Sequence, residues 1–268
     1  MIKLQRLCLL IPVAALLLPA RPVAAQSNQD LAKQLSNPVA SLVSVPMQLN
    51  YDKNIGSDDQ GERLVLNLQP VVPVELNEEW NLISRTILPV IKQDHVPAGT
   101  SSSGTGDIVQ SLFFSPQTPG SHGWIWGVGP AFLLPTASDR LLGSEQWGGG
   151  FTAVALKQNM GLTYGALMNQ VWRLAGDDDR QKYNALFLQP FVSYTTASAL
   201  TYSLNLESTY NWTTEEWGVP VNVAASQVFR VGNQLLSVGA GLRYWADSNA
   251  GTGEGVGFRI TLTMLFPR

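Results

Sequence analysis

Twelve segments of alternating polarity, joined by connections that are long and short in turn, dominate this sequence. The stretch "GFRITLTMLFPR", residues 257–268, shows the unit. Phe258, Ile260, Leu262, Met264 and Phe266 fall on one face; Gly257, Arg259, Thr261, Thr263 and Leu265 fall on the other. Side chains alternate across a strand, so this is a strand with one apolar and one mostly polar face. The same pattern places strands near 40–51, 62–74, 80–91, 104–115, 123–134, 147–157, 162–174, 181–195, 200–211, 218–230, 234–246 and 255–266. Such lengths suit the ~9–11 residues a tilted strand needs to cross a bilayer. An ordinary globular strand averages only ~5–6.

The connections carry independent information. "DKNIGSDDQG", "KQDHVPAGTSSS", "PTASDRLLGSEQ" and "DSNAGTGEG" are long; "ELNEE", "QNMG", "ASA" and "VGN" between them are short. An up-and-down barrel with both termini periplasmic predicts long outer loops and short inner turns. A sandwich has no reason to alternate so. The tryptophans agree. Trp80, Trp124 and Trp126 fall at the expected inner strand ends, and Trp147, Trp172, Trp212, Trp217 and Trp245 at the outer ends. Core tryptophans would scatter; two girdles at the headgroup level would not. The third to fifth segments, 80–134, are less clean, with apolar side chains on both faces at 85–91 and 111–114, which implies either a partly apolar lumen or a bulge.

The N-terminus reads as a secretory signal, residues 1–25: a basic start (Lys3, Arg6), an apolar stretch at 7–18 and small residues before a cut after Ala25. Cys8, the single cysteine, lies within it. Three of the 17 basic residues also lie there and all 20 acidic residues follow, so the rest of the chain carries a formal charge of −6. That balance argues against a nucleic-acid partner. Residues 26–39, with a helical pattern at 27–36, form an expected periplasmic segment ahead of a barrel at 40–268.

Several stretches resemble a known family: "LSNPVASLVSVPMQLNYD" (35–52), "LNEEWNLISRTILPVI" (76–91), "GDIVQSLFFSP" (106–116), "WIWGVGPAFLLPTASD" (124–139) and "LRYWAD" (242–247). They are similar to bacterial outer-membrane barrels described as transporters and labelled neuromedin-U-like, relatives of barrels associated with phenol degradation by the meta-cleavage pathway. The resemblance implies an outer-membrane location and passage of a small, hydrophobic or aromatic solute. It supplies no catalytic or binding residues.

Charges within the strands are few, and lipid exposure at mid-depth costs roughly 2–4 kcal/mol for Arg or Lys. Arg85, Asp107, Arg173, Glu207, Arg243 and Arg259 are therefore lumen candidates, forming either a constriction or salt bridges that fill a narrow barrel. Lys157 is another strand charge. The acidic run 176–180, with Glu215 and Glu216, reads as a solvated outer rim; its spacing lacks a calcium-loop pattern, so no metal site is assigned. His95 and His122 fall in connections, away from strand serines, and Asp94 beside His95 is a thin lead to a rim hydrolase. The glycine runs at 123–129 and 251–257 precede no helix and are not phosphate sites.

The expectation is an all-β, antiparallel, up-and-down transmembrane barrel of about 12 strands in the outer membrane. It has no catalytic residues and no cofactor, and it passes a small solute. A non-conducting structural or surface-interaction barrel is the alternative. The expected partners are outer-membrane lipid and lipopolysaccharide, the solute itself, and the barrel-assembly machinery, whose aromatic C-terminal signal Phe266 fits apart from the trailing Pro267 and Arg268.

Overall fold

The computed structural model describes residues 27–267; the expected signal sequence at 1–25, with Gln26 and Arg268, lies outside the described residues. The strands are β1 (Val43–Ile55), β2 (Gly61–Leu68 continued by Val71–Glu75), β3 (Trp80–Asp94), β4 (Ser101–Thr105 continued by Ile108–Pro116), β5 (Ile125–Leu134) and β6 (Gln146–Asn159). They continue with β7 (Leu162–Gly176), β8 (Asn184–Thr195), β9 (Leu200–Leu206 continued by Ser208–Asn211), β10 (Glu216–Val231), β11 (Gln234–Asp247) and β12 (Gly255–Phe266). Each pairs antiparallel with the next. β12 then pairs with β1, from Val43 opposite Phe266 to Tyr51 opposite Phe258. The sheet is a closed twelve-stranded barrel without an edge, so the strand that ends the described chain is paired on both sides.

The three breaks have local causes. In β2 the ladder lapses at Pro70, which has no N–H, while the Gln69 N–H still bonds the Pro46 carbonyl at 2.8 Å. In β9 it lapses at Glu207, whose N–H reaches the Pro220 carbonyl at 3.1 Å, but Pro220 has no N–H to return. In β4, Thr105 pairs with Val90 and Val109 pairs with Ile87, so residues 106–108 oppose 88–89. That extra residue is a bulge.

The faces are inverted relative to a soluble barrel. Val223, Val238, Leu242 and Ile260 are exposed on the outer wall, whereas Asn222, Ser237, Arg243 and Arg259 are buried inside. An apolar exterior around a polar interior is the arrangement of a bilayer-spanning barrel of the bacterial outer-membrane type. The interior has two halves. Ile83, Phe113, Val154, Leu156 and Leu167 form an apolar cluster inside the wall of β3 to β7, with Phe187 and Phe191 of β8 against it. The charged cluster of Asp52, Glu207, Arg243 and Arg259 lies on β1, β9, β11 and β12 instead. The apolar lumen and the bulge, expected as alternatives for residues 80–134, both occur, the first at Ile83 and Phe113 and the second at 106–108.

The segment expected in the periplasm packs, from residue 27 on, into the inner end of the barrel. Its helix α1 (Asn28–Leu35) starts at Ser27, whose side chain accepts the Asp30 N–H at 3.1 Å. Such a cap satisfies an orphan donor, and Asp30 in the first turn and Lys33 in the last complement the helix dipole. Leu31 and Ala32 pack with Ala40 and Leu42 against Ala199, Val228, Leu235 and Leu265 at the inner ends of the strands. Val39 enters the apolar lumen cluster. The Gln158 amide donates to the Lys33 carbonyl at 2.8 Å, and the Asn81 amide to Ser41 at 2.9 Å. The segment is a plug held by both packing and hydrogen bonds.

Candidate functional site

Glu207 is the hub of the polar half. Its place in the β9 ladder beside proline-interrupted pairing directs it inward, toward β11 and β12. Arg259 holds both its oxygens, Nη1 to Oε1 at 2.9 Å and Nη2 to Oε2 at 2.7 Å, and gives its Nε to Asn50 at 2.7 Å. Arg243 reaches Glu207 at 2.8 Å from Nη1 and Asp52 at 3.0 Å from Nε. Asn222 adds an acceptor for Arg243 at 3.3 Å and donates to Asn205 at 2.9 Å. A bidentate guanidinium–carboxylate pair is directional as well as strong, so β9, β10, β11, β12 and β1 are laced together across the lumen.

Trp245 belongs to this cluster. Its Nε1 donates to Asp52 at 2.8 Å, and its ring lies 4.7 Å from the Arg243 guanidinium. The expectation that Trp245 joins a lipid girdle is corrected. It shares the inward parity of Arg243 and Gly241, opposite the outward Tyr244 and Leu242. Trp147, Trp172, Trp212 and Trp217 are exposed on the outer wall near the outer end. At the inner end Trp124 is exposed and carries the Lys157 ammonium 4.8 Å above its ring, while Trp80 and Trp126 meet edge to face at 5.8 Å.

The six strand charges do not form one group. Glu207, Arg243 and Arg259 come together. Arg85 stands apart on β3, donating to Gln69 at 2.9 Å. Asp107, the bulged residue of β4, is no constriction residue. It accepts from the Ala137 N–H at 3.2 Å and from the Ser144 N–H and hydroxyl at 2.6 and 2.7 Å, pinning the outer connection 135–145. Arg173 pairs with Asp178 and the Gly176 carbonyl in the outer rim. Arg140 likewise spans Glu145 at 2.9 Å and Asp177 at 3.2 Å. The acidic rim expected to be solvated is thus partly neutralised by its own arginines. Asn50, Asp52 and Asn222, missed by the sequence reading, are buried polar residues at inward parity; that parity was the available signal.

Among the described residues the histidines build no hydrolytic group with a serine. His95 Nε2 lies 2.8 Å from Asp58, and its Nδ1 accepts the Gly99 N–H at 3.1 Å. Asp94 beside it pairs instead with Ser101. His122 occupies an inner turn with φ +61°. The Asp58 carboxyl is held below its usual pKa, first by the hydrogen bond from His95.

Between the plug and the Glu207 cluster lies a cavity of about 320 Å³. Leu35, Pro38 and Leu42 close it from the plug side; Arg85, Gln69, Phe191 and Arg259 line it from the wall. Volumes of this order are those of small-molecule sites, ~300–1,000 Å³.

No family model and no curated protein matches the chain in sequence. Among solved structures, the chain is similar to an outer-membrane channel from Pseudomonas putida F1, with a TM-score of 0.66 at 14% identity, covering 84% of this chain and 94% of that one. Outer-membrane phospholipase A from Escherichia coli aligns over 83% of this chain and 90% of its own, with a TM-score of 0.48 at 11% identity. The chain is a β-barrel of the bacterial outer-membrane type.

Proposed function

We propose that the barrel passes a small solute across the outer membrane, and that the N-terminal segment is the closure of its inner mouth. The observation that carries this reading is the cavity of about 320 Å³ inside the wall, bounded on one side by residues 34–42 and on the other by the Arg259 layer. A barrel that serves only as a structural post gains nothing by leaving such a space. The solute has apolar character, because Leu35, Leu42, Val71 and Phe191 are among the side chains that line the cavity. The resemblance to barrels of phenol degradation and the likeness to a channel both support passage of this kind.

The reading of a non-conducting barrel has one observation in its favour. The Arg243–Glu207–Arg259 pairs and the apolar cluster occupy much of the interior. Planar-bilayer conductance separates the two. The protein from residue 27 on conducts in small steps, and deletion of 27–38 enlarges them. If neither protein gives steps above baseline, the barrel is not a conducting path.

A further inference from the structure

We infer that the lumen cavity is a binding site for a small monocarboxylate with an apolar tail, with Arg85 as its anchor. The inference rests on reading the lumen as a solute path. The Glu207 cluster and its surroundings place four arginines, 63, 85, 243 and 259, against two carboxylates, Asp52 and Glu207. Asp52 is taken by Arg243, and Glu207 by Arg243 and Arg259. Arg63 gives its donors to Gln93 at 3.0 Å and the Gly251 carbonyl at 2.8 Å, toward the outer end. Arg85 is different. Among the described residues its guanidinium has one hydrogen-bond partner, the neutral Gln69, and no carboxylate within ion-pair distance. The carboxylate whose field reaches it, Glu207, is already shared by two other arginines.

A guanidinium offers five donors in a planar fork. Gln69 uses one of those on Arg85, and the group opens on the cavity. A carboxylate is the planar anion that such a fork receives with two parallel bonds. Among the other side chains that line the cavity, Val71, Phe191, Leu35 and Leu42 supply apolar surface between polar groups. A ligand that satisfies both parts carries its charge at one end and a short hydrocarbon body at the other. The cavity also holds an unused polar group. The Ser193 hydroxyl is 7% exposed and has no partner among the described residues.

Calorimetric titration of the detergent-solubilised protein with hexanoate and with hexanol tests the site without requiring conduction. Hexanoate binds, and hexanol, with the same tail and no charge, binds at least tenfold more weakly. Arg85→Gln weakens hexanoate roughly tenfold or more, the loss expected for a charge-assisted pair. Arg230→Gln, an exposed change at the inner end of β10, leaves it unchanged. Arg85→Lys, which keeps the charge but loses the fork, falls between wild type and Arg85→Gln. Heat-dependent gel mobility confirms that each variant is a folded barrel. Equal binding of hexanoate to wild type and Arg85→Gln, or of hexanol and hexanoate to wild type, overturns the proposal. A barrel that binds hexanoate but gives no conductance steps retains the site and loses the channel reading.

Discussion

Arg259 on β12 and Glu207 on β9 meet through two parallel hydrogen bonds, at 2.9 and 2.7 Å, across the lumen. Their side chains are 6% and 16% exposed, so little water screens the pair. Removing one partner of a buried pair is costly because the other charge is stranded. Here Glu207 serves two arginines, and Glu207→Gln strands both. Urea unfolding of the refolded barrel shows this variant less stable by roughly 3–5 kcal/mol. A loss below about 0.5 kcal/mol, the size of an exposed pair, shows instead that lumen water carries the two arginines without it.

Trp245 and Trp217 lie near the same end of the barrel on opposite sides of the wall. Trp245 gives its N–H to Asp52 inside, while Trp217 packs against Tyr210 outside, ring centroids 4.9 Å apart. In single-tryptophan proteins reconstituted with brominated lipid, Trp217 emission is quenched strongly and Trp245 emission hardly at all. Trp245→Phe keeps the ring volume but removes a donor to a charged acceptor, a loss of roughly 1.5–3 kcal/mol. Strong lipid quenching at Trp245 places it in the girdle after all.

The alternating faces were legible because a strand's parity is written residue by residue, and β12 shows it from Phe258 to Phe266. Trp245 was misplaced by weighing its position near a strand end above its parity, which it shares with Arg243. The partnership of Glu207 with Arg259 spans 52 residues, and it depends on the register of three successive strand pairings. Asp107 reads as a lumen charge until the bulge after Gly106 is known; the bulge turns it toward the loop at 135–145. The plug was half legible. The helix at 27–36 could be read from its pattern ahead of Pro38, but docking depends on Ala199, Val228 and Leu265, which are far apart in sequence.

The outer connection at 94–101 is fastened to the one at 55–61 through His95 and Asp58, 2.8 Å apart. Asp58 has its carboxyl pKa lowered from 3.8, first by the His95 hydrogen bond and further by the Gln60 N–H and the His95 charge, against an opposing desolvation. A depressed carboxylate pKa means that the folded loop binds fewer protons than the open one in this range. Its contribution is therefore complete above the ordinary carboxylate value and is lost as the pH falls through the folded value. Amide exchange across the connection at 94–101 is slow above the ordinary carboxylate range and quickens as the pH falls through the lowered Asp58 value. Asp58→Asn removes that pH dependence. Unchanged protection across the range detaches the loop from this pair.

Gly257 sits on the closing seam, opposite Arg243 on β11. A Cβ there meets the Tyr51 carbonyl oxygen at 2.2 Å and Asp52 Oδ1 at 3.1 Å. The first is backbone of β1 and cannot turn away; the second is the acceptor shared by Arg243 and Trp245. Gly257→Ala therefore pushes β12 from β1 and disturbs the polar cluster at once. Overpacking of this kind costs about 1–3 kcal/mol. Gly251, six residues earlier, is the control: its added Cβ meets only Asn249 Oδ1, at an ordinary 3.5 Å. In heat-dependent gel mobility, Gly257→Ala unfolds at a lower temperature and Gly251→Ala matches the parent. If the two behave alike, the seam is looser than the β1–β12 register implies, and the barrel's closure does not depend on the absence of a side chain at this position.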